Sequence, residues 1–481
     1  MRQITSIIQV LLCLYMLLFP VCTNGQSINT PISTDTGKIF SWNDFWQIIL
    51  NEHPEATRAS NLRATAKATL LSAKGGFDPK MYGDFDQKSF DNKNYFTYTE
   101  GGLKIPTWLG IEAKVAYSTA RGDFINPADK LPLRGQGIIG ISLPLLQGLV
   151  IDQRRADLLS ARQNEGLKEM EWQEAINDLQ YEAAKVYWKW VLVHAQLKVY
   201  QQSLVIAENR LNAFKTSFEL GERMEMDTLE AYILVQDRSL EYLNAATELQ
   251  KASYELANFL WQDNRPLEII NTLSPAVFDT LNLTFPVAER SLLLENLVTQ
   301  HPSLKMYQYK LSQLNIERKW KTEKLKPKLN IKYNFLGNGA SFNYLFTDNY
   351  KWGIQFSSST LFRNERGEIQ LNEIKQENTQ LMLEQKTLEL NNKLANAFAA
   401  LDLNNQQIAL YTNTLDNYRR LLEAEYSRLE LGESSLFLIN NRESKYIEAQ
   451  LKLLKFRYEN EMIKAGIRWS AGGKEIRFEI Q

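Results

Sequence analysis

The chain has 481 residues, a formal net charge of -1, and charged residues of both signs that make up 23% of its length. So balanced a charge excludes the basic field expected of a protein that binds nucleic acid. The only two cysteines, Cys13 and Cys22, lie near the N-terminus, so the rest of the chain depends on neither disulfides nor thiolate chemistry.

The N-terminal segment has the pattern of an export signal. Arg2 precedes a nearly unbroken apolar run from Ile7 to Val21, and small or polar residues follow as far as Gly25. This run is too short for a comfortable membrane helix, so we predict a signal peptide over residues 1–25 with cleavage after Gly25. The alternative is a lipoprotein acylated on Cys22, although Pro20-Val21 is a poor lipobox.

The remainder of the chain contains an internal duplication. His53-Pro54 recurs as His301-Pro302, and Leu220-Gly221-Glu222 recurs as Leu431-Gly432-Glu433. The second offset is smaller than the first, so the first copy carries an insertion between these landmarks. A 3-4-3-4 apolar spacing, typical of a coiled-coil seam, recurs in the same register and supports a duplicated unit.

Each copy predicts the same order of elements, namely a moderate helix, a strand region, and two long helices separated by a Leu-Gly-Glu break. The moderate helices are expected from Trp42 to Lys74 and from Glu289 to Lys324. The predicted domains and elements are a first repeat over 26–265 (strands 79–144, helices 149–220 and 222–262), a linker over 266–288, a second repeat over 289–470 (strands 327–360, helices 365–431 and 433–469) and a tail over 471–481.

The predicted strands alternate apolar and polar residues, as in Leu329, Ile331 and Tyr333 against their polar neighbours. This is the period of a transmembrane β-barrel, although a soluble sheet with one wet face shares it. No later segment offers about 20 apolar residues for a spanning helix. Because two or four strands are too few to close a barrel, several chains must contribute to one barrel. We therefore predict a mainly α-helical protein with a membrane β-barrel portion.

At this point the sequence resembles the TolC-like outer-membrane efflux family. The resemblance rests on the phrase from Leu143 to Gly148 entering a long helix, on Arg154-Arg155-Ala156, and on the two Leu-Gly-Glu breaks. It implies a homotrimeric channel-tunnel with a barrel in the lipid of the outer membrane and helices in the periplasm. It also implies two partners, a periplasmic membrane-fusion adaptor and an inner-membrane pump of the RND or ABC type.

The resemblance also implies functional positions at the helix breaks. The tips that would contact the adaptor are Leu220, Gly221, Glu222, Leu431, Gly432 and Glu433. Glu225 and Asp227 are gate candidates in the first copy. In the second copy the family often has two acidic residues at the constriction, where this chain has Leu438 and Asn441. An apolar and amide constriction is therefore expected here, with weaker cation preference.

The first strand region departs from the family by its length. Residues 103–110 suggest a turn between two additional strands, so the barrel is either larger than usual or leaves a hairpin outside it. No catalytic, cofactor or metal site is predicted, because the Gly-x-Gly-x-x-Gly at Gly135, Gly137 and Gly140 is flanked by prolines rather than a helix. An envelope enzyme therefore lacks a site.

The favoured function is an outer-membrane exit duct for small toxic solutes or secreted polypeptide. The duct would belong to a tripartite efflux pump or to a type I secretion system. The alternative is a non-channel periplasmic coiled-coil adaptor or a structural envelope protein.

Overall fold

The structure is a computed structural model. It describes residues 39–122, 124–126, 130–263, 265–267, 274–276, 278, 283–284, 286–339, 349–473 and 479–480. Two compact units make up the chain, one of residues 1–39 and 271–274 and the other of residues 40–270 and 275–481. In the smaller unit only Ile39 and Ser274 are described. The predicted signal peptide with Cys13 and Cys22, and most of the predicted tail, lie outside the described residues.

Helices form most of the larger unit. They are α1 (Trp42–Glu52), α2 (Pro54–Lys74), α3 (Gln153–Glu219), α4 (Glu225–Ala257), α5 (Val287–Gln300), α6 (Pro302–Glu323), α7 (Arg363–Glu430) and α8 (Leu436–Ser470), with a 3-10 turn at Gly75–Phe77. The longest two, α3 and α7, have 67 and 68 residues and therefore extend about 100 Å. None of the helices that the structure describes carries an apolar stretch long enough to cross a membrane.

Each predicted moderate helix is in fact two helices, which corrects the expected spans from Trp42 to Lys74 and from Glu289 to Lys324. The breaks fall at His53 and His301, each followed by a proline whose ring lacks the N–H that a continuous helix requires. In both places the histidine Nδ1 accepts a hydrogen bond from the backbone N–H two residues on, at 3.1 Å from Glu55 and 3.2 Å from Ser303. The repeated histidines therefore act as N-caps.

The long helices differ from their predicted bounds where local caps intervene. Helix α3 begins after Asp152, whose side chain accepts from the Arg155 N–H, and α8 begins after Ser435, which caps the Leu438 N–H. Helix α4 ends at Ala257 rather than at residue 262, because Trp261–Gln262 pairs with Arg265–Pro266 in a short hairpin. The boundaries of the two repeats and of the linker stay predictions.

The strands of both repeats form one six-stranded antiparallel sheet. In each repeat the strands follow the moderate helices and precede the long helices in the chain. The strands are β1 (Lys80–Phe90), β2 (Lys93–Pro106), β3 (Glu112–Arg121), β4 (Gln136–Pro144), β5 (Lys328–Asn338) and β6 (Tyr350–Ser357), in the order β6-β5-β4-β3-β2-β1. The first repeat thus contributes four strands and the second two. The short pairs Ile39–Phe40, Ser274–Pro275, Leu283–Thr284 and Glu479–Ile480 are also extended.

Two turns explain how the first repeat fits its extra strands. Asp91 and Asn92 both have positive φ, as the two-residue hairpin between β1 and β2 requires. Between β2 and β3, the Thr107 N–H donates to the Ile111 carbonyl at 2.9 Å, which closes the turn expected at residues 103–110.

Aromatic and aliphatic clusters hold the helices together. In the first repeat Tyr187 is fully buried, stacks on Phe45 with ring centroids 5.6 Å apart, and donates to the Phe40 carbonyl at 2.8 Å. In the second repeat a cluster joins α5, α6, α7 and α8; it consists of Leu297, Leu304, Leu390, Leu394, Phe398, Leu401 and Ile467. Packing along neighbouring helices stabilises helices of this length.

Candidate functional site

One face of the sheet is apolar and exposed. Trp352, Ile354 and Phe356, alternate residues of β6, are 59%, 58% and 66% exposed. The strand registers place the other exposed large apolar residues of the sheet on the same face; these are Met81, Phe85, Leu103, Ile105, Tyr117, Ile141, Tyr333 and Tyr350. The exception is Phe90, which follows a β-bulge. An apolar band of this size suits contact with lipid rather than water.

The opposite face of the sheet is polar. Ala116 and Ser118 of β3, which point to this face, are 4% and 1% exposed. Near them the Glu100 carboxylate accepts four hydrogen bonds, at 2.6 Å from Tyr82, 2.7 Å from Tyr98, 2.6 Å from Lys114 and 2.9 Å from Ser118. This network ties three strands together on the polar face.

The sheet is open in a single chain. Strands β1 and β6 are its edges, and each pairs with only one neighbour among the described residues. Every residue of β6 is exposed, and so is every residue of β1 except the half-buried Tyr82. Long exposed edges are ready-made surfaces for pairing with another strand.

At the far end of the helices the chain reverses twice with the same geometry. Gly221 and Gly432 have φ of +78° and +75°. In the first tip the N–H groups of Gly221 and Glu222 donate to Phe218 and Ser217, both at 2.9 Å. The second tip repeats this Schellman pattern. A Cβ at either glycine would meet no neighbour, so the left-handed φ alone selects glycine.

The other tip residues predicted from the sequence flank these turns. Leu220 and Leu431 directly follow the ends of their helices and are 69% and 75% exposed, and Glu222 and Glu433 are exposed beside them. All six predicted tip residues therefore lie at the two reversals. Their contact with an adaptor stays a prediction.

The gate candidates lie just beyond the tips. Glu225 and Asp227 occupy the first turn of α4, where a carboxylate is favoured by the helix dipole, and Asp227 lies 3.9 Å from Arg223. Leu438 and Asn441 are both exposed, three residues apart on α8, whereas Leu436 is buried against Leu211. Helix α8 thus has a buried side and an exposed side. A pore-lining role for the exposed side stays a prediction.

A buried polar network near the tips is missed by sequence reasoning. Arg210 of α3 lies 2.5 Å from Glu443 of α8 and donates to Tyr426 at 2.6 Å and to Asn440 at 2.8 Å. It joins the first repeat to the second through residues more than 200 positions apart. In the sequence, the only sign of this network would be a charged residue within an otherwise apolar face of a helix.

The two repeats differ at one seam position close to the tips. Phe214 is buried with the Arg223 guanidinium 4.3 Å above its ring. At the equivalent positions of the second repeat, Glu425 is buried and accepts a hydrogen bond of 2.5 Å from Ser434. Arg442, 3.8 Å away, adds a cation. Each repeat therefore closes its tip by a different contact.

The glycine motif that ends at Gly140 belongs to the sheet. Gly137 and Gly140 lie within β4, and Gly135 directly precedes it, so the Gly-x-Gly-x-x-Gly does not open a helix. Among the described residues, no group of three histidine, cysteine or acidic side chains is placed to hold a metal ion.

The comparisons with known proteins agree with this architecture. The model of the family described as outer membrane efflux protein matches residues 293–473, and no curated protein matches. The solved outer membrane channel CmeC of Campylobacter jejuni is 12% identical, with a TM-score of 0.62 and coverage of 94% of each chain.

Two further channels have the same fold. The outer membrane protein VceC of Vibrio cholerae is 11% identical with a TM-score of 0.65, over 90% of this chain and 96% of that one. The MtrE outer membrane channel of Neisseria gonorrhoeae, solved in its open state, is 14% identical with a TM-score of 0.63, over 89% and 88% of the two chains. The resemblance noted from the sequence is therefore confirmed: residues 293–473 match the model of the outer membrane efflux protein family, and the chain as a whole has the fold of these solved outer-membrane channels.

Proposed function

We propose that this protein is the outer-membrane exit duct of a tripartite efflux or secretion machine, with its sheet in the membrane and its helices in the periplasm. The observation that carries the proposal is the amphipathic sheet, which is apolar and exposed on one face and polar on the other and is continued by helices of about 100 Å. The duct would be passive and would perform no chemistry of its own.

The open sheet supports an assembly of several chains. Three sheets of six strands would supply eighteen strands, with β1 of one chain pairing with β6 of the next. Strand direction alternates through the sheet, so this pairing would be antiparallel like the others. Because barrel diameter grows with strand number, such a barrel would be wider than one built from four strands per chain.

The additional hairpin, β2 and β3, is hydrogen-bonded to its neighbouring strands within the sheet. Strands β2 and β3 pair over ten residues, from Thr97 opposite Arg121 to Pro106 opposite Glu112. At its helical end the turn is anchored, since Trp108 lies 5.9 Å from the Phe77 ring and 5.9 Å from the Arg162 guanidinium. These contacts favour the larger barrel over a hairpin outside it.

The helical end would meet the rest of the machine. We propose that the tips at Gly221 and Gly432 contact a periplasmic adaptor, and that an inner-membrane pump of the RND or ABC type supplies the cargo, small toxic solutes or secreted polypeptide. The alternative of a non-channel adaptor is not favoured, because the likeness to channel structures extends over 94% of the chain.

A matched pair of substitutions on β6 tests the membrane placement. Ile354 points to the apolar face and Gln355 to the polar face, and both are exposed in the single chain. We expect Ile354→Asp to lose the outer-membrane oligomer, because a carboxylate facing lipid costs free energy. Gln355→Asp should retain it. Density-gradient fractions and oligomer bands would be compared in cells producing each variant.

Equal recovery of both variants in the outer membrane would argue that the apolar face does not contact lipid. The functional arm uses a deletion strain. Wild-type protein and Gln355→Asp should restore export of the pump's cargo, and Ile354→Asp should not. A deletion that left every export phenotype intact would contradict the exit-duct role.

A further inference from the structure

A single row of cross-strand neighbours on the polar face is unusually basic. Its six positions, one from each strand, are Lys80, Lys104, Lys114, Gly140, Asn334 and Lys351. We call these four lysines the lysine row. Adjacent strands are about 4.8 Å apart, so the lysines of β1, β2 and β3 are direct neighbours. Like charges placed opposite one another destabilise a sheet, so the row needs a reason beyond folding.

Most of the positive charge in this region has no carboxylate partner. Only Lys114 is ion-paired within the row, at 2.6 Å from Glu100. Lys104 instead lies over the Tyr82 ring at 4.4 Å. Within the described chain no ion pair involves Lys80 or Lys351. The same is true of Lys328 and Lys332, which lie on the same face of the sheet, one or more rows closer to the helices.

Within the described part of a single chain, the acidic residues near Lys80 and Lys104 do not neutralise these two lysines. Glu100 is occupied by Lys114 and three hydroxyl groups, and Glu112 lies 3.7 Å from Arg154. Asp84 and Asp86 are exposed on the same face but are four and six residues beyond Lys80 along β1. At about 3.3 Å per residue Asp84 is roughly 13 Å away, beyond the screening length of about 10 Å at 0.1 M salt.

We infer that the lysine row makes the membrane portion of the duct selective for anions, so that solutes bearing carboxylate, phosphate or sulfate groups pass preferentially. The inference rests on the proposed function, since the polar face must line the lumen. In a three-chain barrel the row would recur in each chain. Lys80, Lys104 and Lys114 lie near the ends of their strands that join the helices, and Lys351, the second residue of β6, lies near the opposite end of the sheet. Rings of lysine select anions in pores because a low-dielectric wall concentrates their field.

The test is the reversal potential of the purified, assembled full chain in planar lipid bilayers under a KCl gradient. The wild type should be more permeable to chloride than to potassium at about 0.1 M salt, and this preference should fade near 1 M, where the screening length is about 3 Å. The combined variant Lys80→Gln, Lys104→Gln, Lys351→Gln should shift the reversal potential toward the potassium side.

Two matched controls separate charge from packing. Replacing the same three lysines by arginine keeps the charge and should keep the chloride preference. Lys67→Gln removes an exposed lysine on α2, outside the sheet, and should change nothing. A conducting wild type that prefers potassium, or a glutamine variant with unchanged selectivity, would overturn the inference while leaving the duct intact. An assembly that failed to conduct even when the gate candidate was opened by Leu438→Ser would overturn the duct itself, and the inference with it.

Discussion

Arg210 and Glu443 form a buried ion pair between the two repeats, 2.5 Å apart, with side chains 8% and 4% exposed. Removing one partner of a buried pair leaves an uncompensated charge, which costs about 3–5 kcal/mol. We therefore expect Arg210→Ala to lower the melting temperature of the detergent-extracted protein sharply. The double variant Arg210→Met, Glu443→Leu should recover most of that loss.

A surface pair provides the control for this prediction. Lys251 and Glu248 are 2.6 Å apart with side chains 62% and 54% exposed. Lys251→Ala should change stability by no more than about 1 kcal/mol. If Arg210→Ala melted like Lys251→Ala, the link between the repeats would not contribute to stability.

The tip glycines are expected to matter more for coupling than for folding. Gly221 needs its positive φ but has open space around it, so a valine adds backbone strain of roughly 1–2 kcal/mol without a clash. We predict that Gly221→Val assembles but couples poorly to its adaptor, as measured by cross-linking to the adaptor and by export. Gly221→Asn, which tolerates this conformation, should couple normally. Normal coupling by Gly221→Val would show that the tip is placed wrongly.

Leu438 should act as an apolar gate at the constriction. It is exposed on α8 in the single chain, and three copies around a narrow pore would close it by dewetting. We expect Leu438→Ser to raise the resting conductance in planar bilayers. Phe437 lies about 100° around the helix from Leu438, so Phe437→Ser should raise the conductance less. An unchanged conductance in Leu438→Ser would place the constriction elsewhere.

The capping histidine of the second repeat should make stability depend on pH. Burial, with a smaller contribution from Lys386, lowers the pKa of His301 from 6.5 to about 4, although the Ser470 carbonyl opposes the shift. The unfolded chain therefore binds the extra proton first, and stability is lost as the pH falls from about 6.5 to about 4. The full loss is roughly 3 kcal/mol per chain, at about 1.4 kcal/mol per unit.

His301→Asn isolates this contribution, since asparagine is also a good N-cap and does not titrate. The wild type and the variant would be melted across the pH range, and the stability advantage of the wild type should shrink as the pH falls. His53, whose pKa is also lowered by burial, remains in both proteins and cancels from the difference. A difference in melting temperature that stayed constant with pH would contradict the assignment.

Periodic features were predictable from the sequence, whereas contacts between distant segments were not. The strand alternation and the two Leu-Gly-Glu breaks are local patterns, and both correspond to elements of the structure. The helix break at His53 was not predicted, because the helical pattern continues across Pro54. At this break the His53 side chain caps the helix that begins at Pro54. The lysine row requires the register of six strands, and that register joins Asn334 to Gly140 across nearly 200 residues.

In the proposed assembly, six strands from each of several chains close one barrel, with β1 of one chain against β6 of the next. Disulfide trapping tests this assembly directly, because all native cysteines lie within the predicted signal peptide. Gln355→Cys on β6 would be combined in turn with cysteine at Lys80, Tyr82, Asp84 or Asp86 on β1, which covers the possible registers on the polar face.

Oxidised samples from cells would then be resolved on non-reducing gels. Covalent trimers are expected for the in-register β1 position, and none when Asn330→Cys, one strand further inside, replaces Gln355→Cys. Cross-linking of Gln355→Cys to cysteines at Glu112 or Lys114 on β3, with none to β1, would mean that β1 and β2 lie outside a barrel of four strands per chain and would contradict the six-strand assembly.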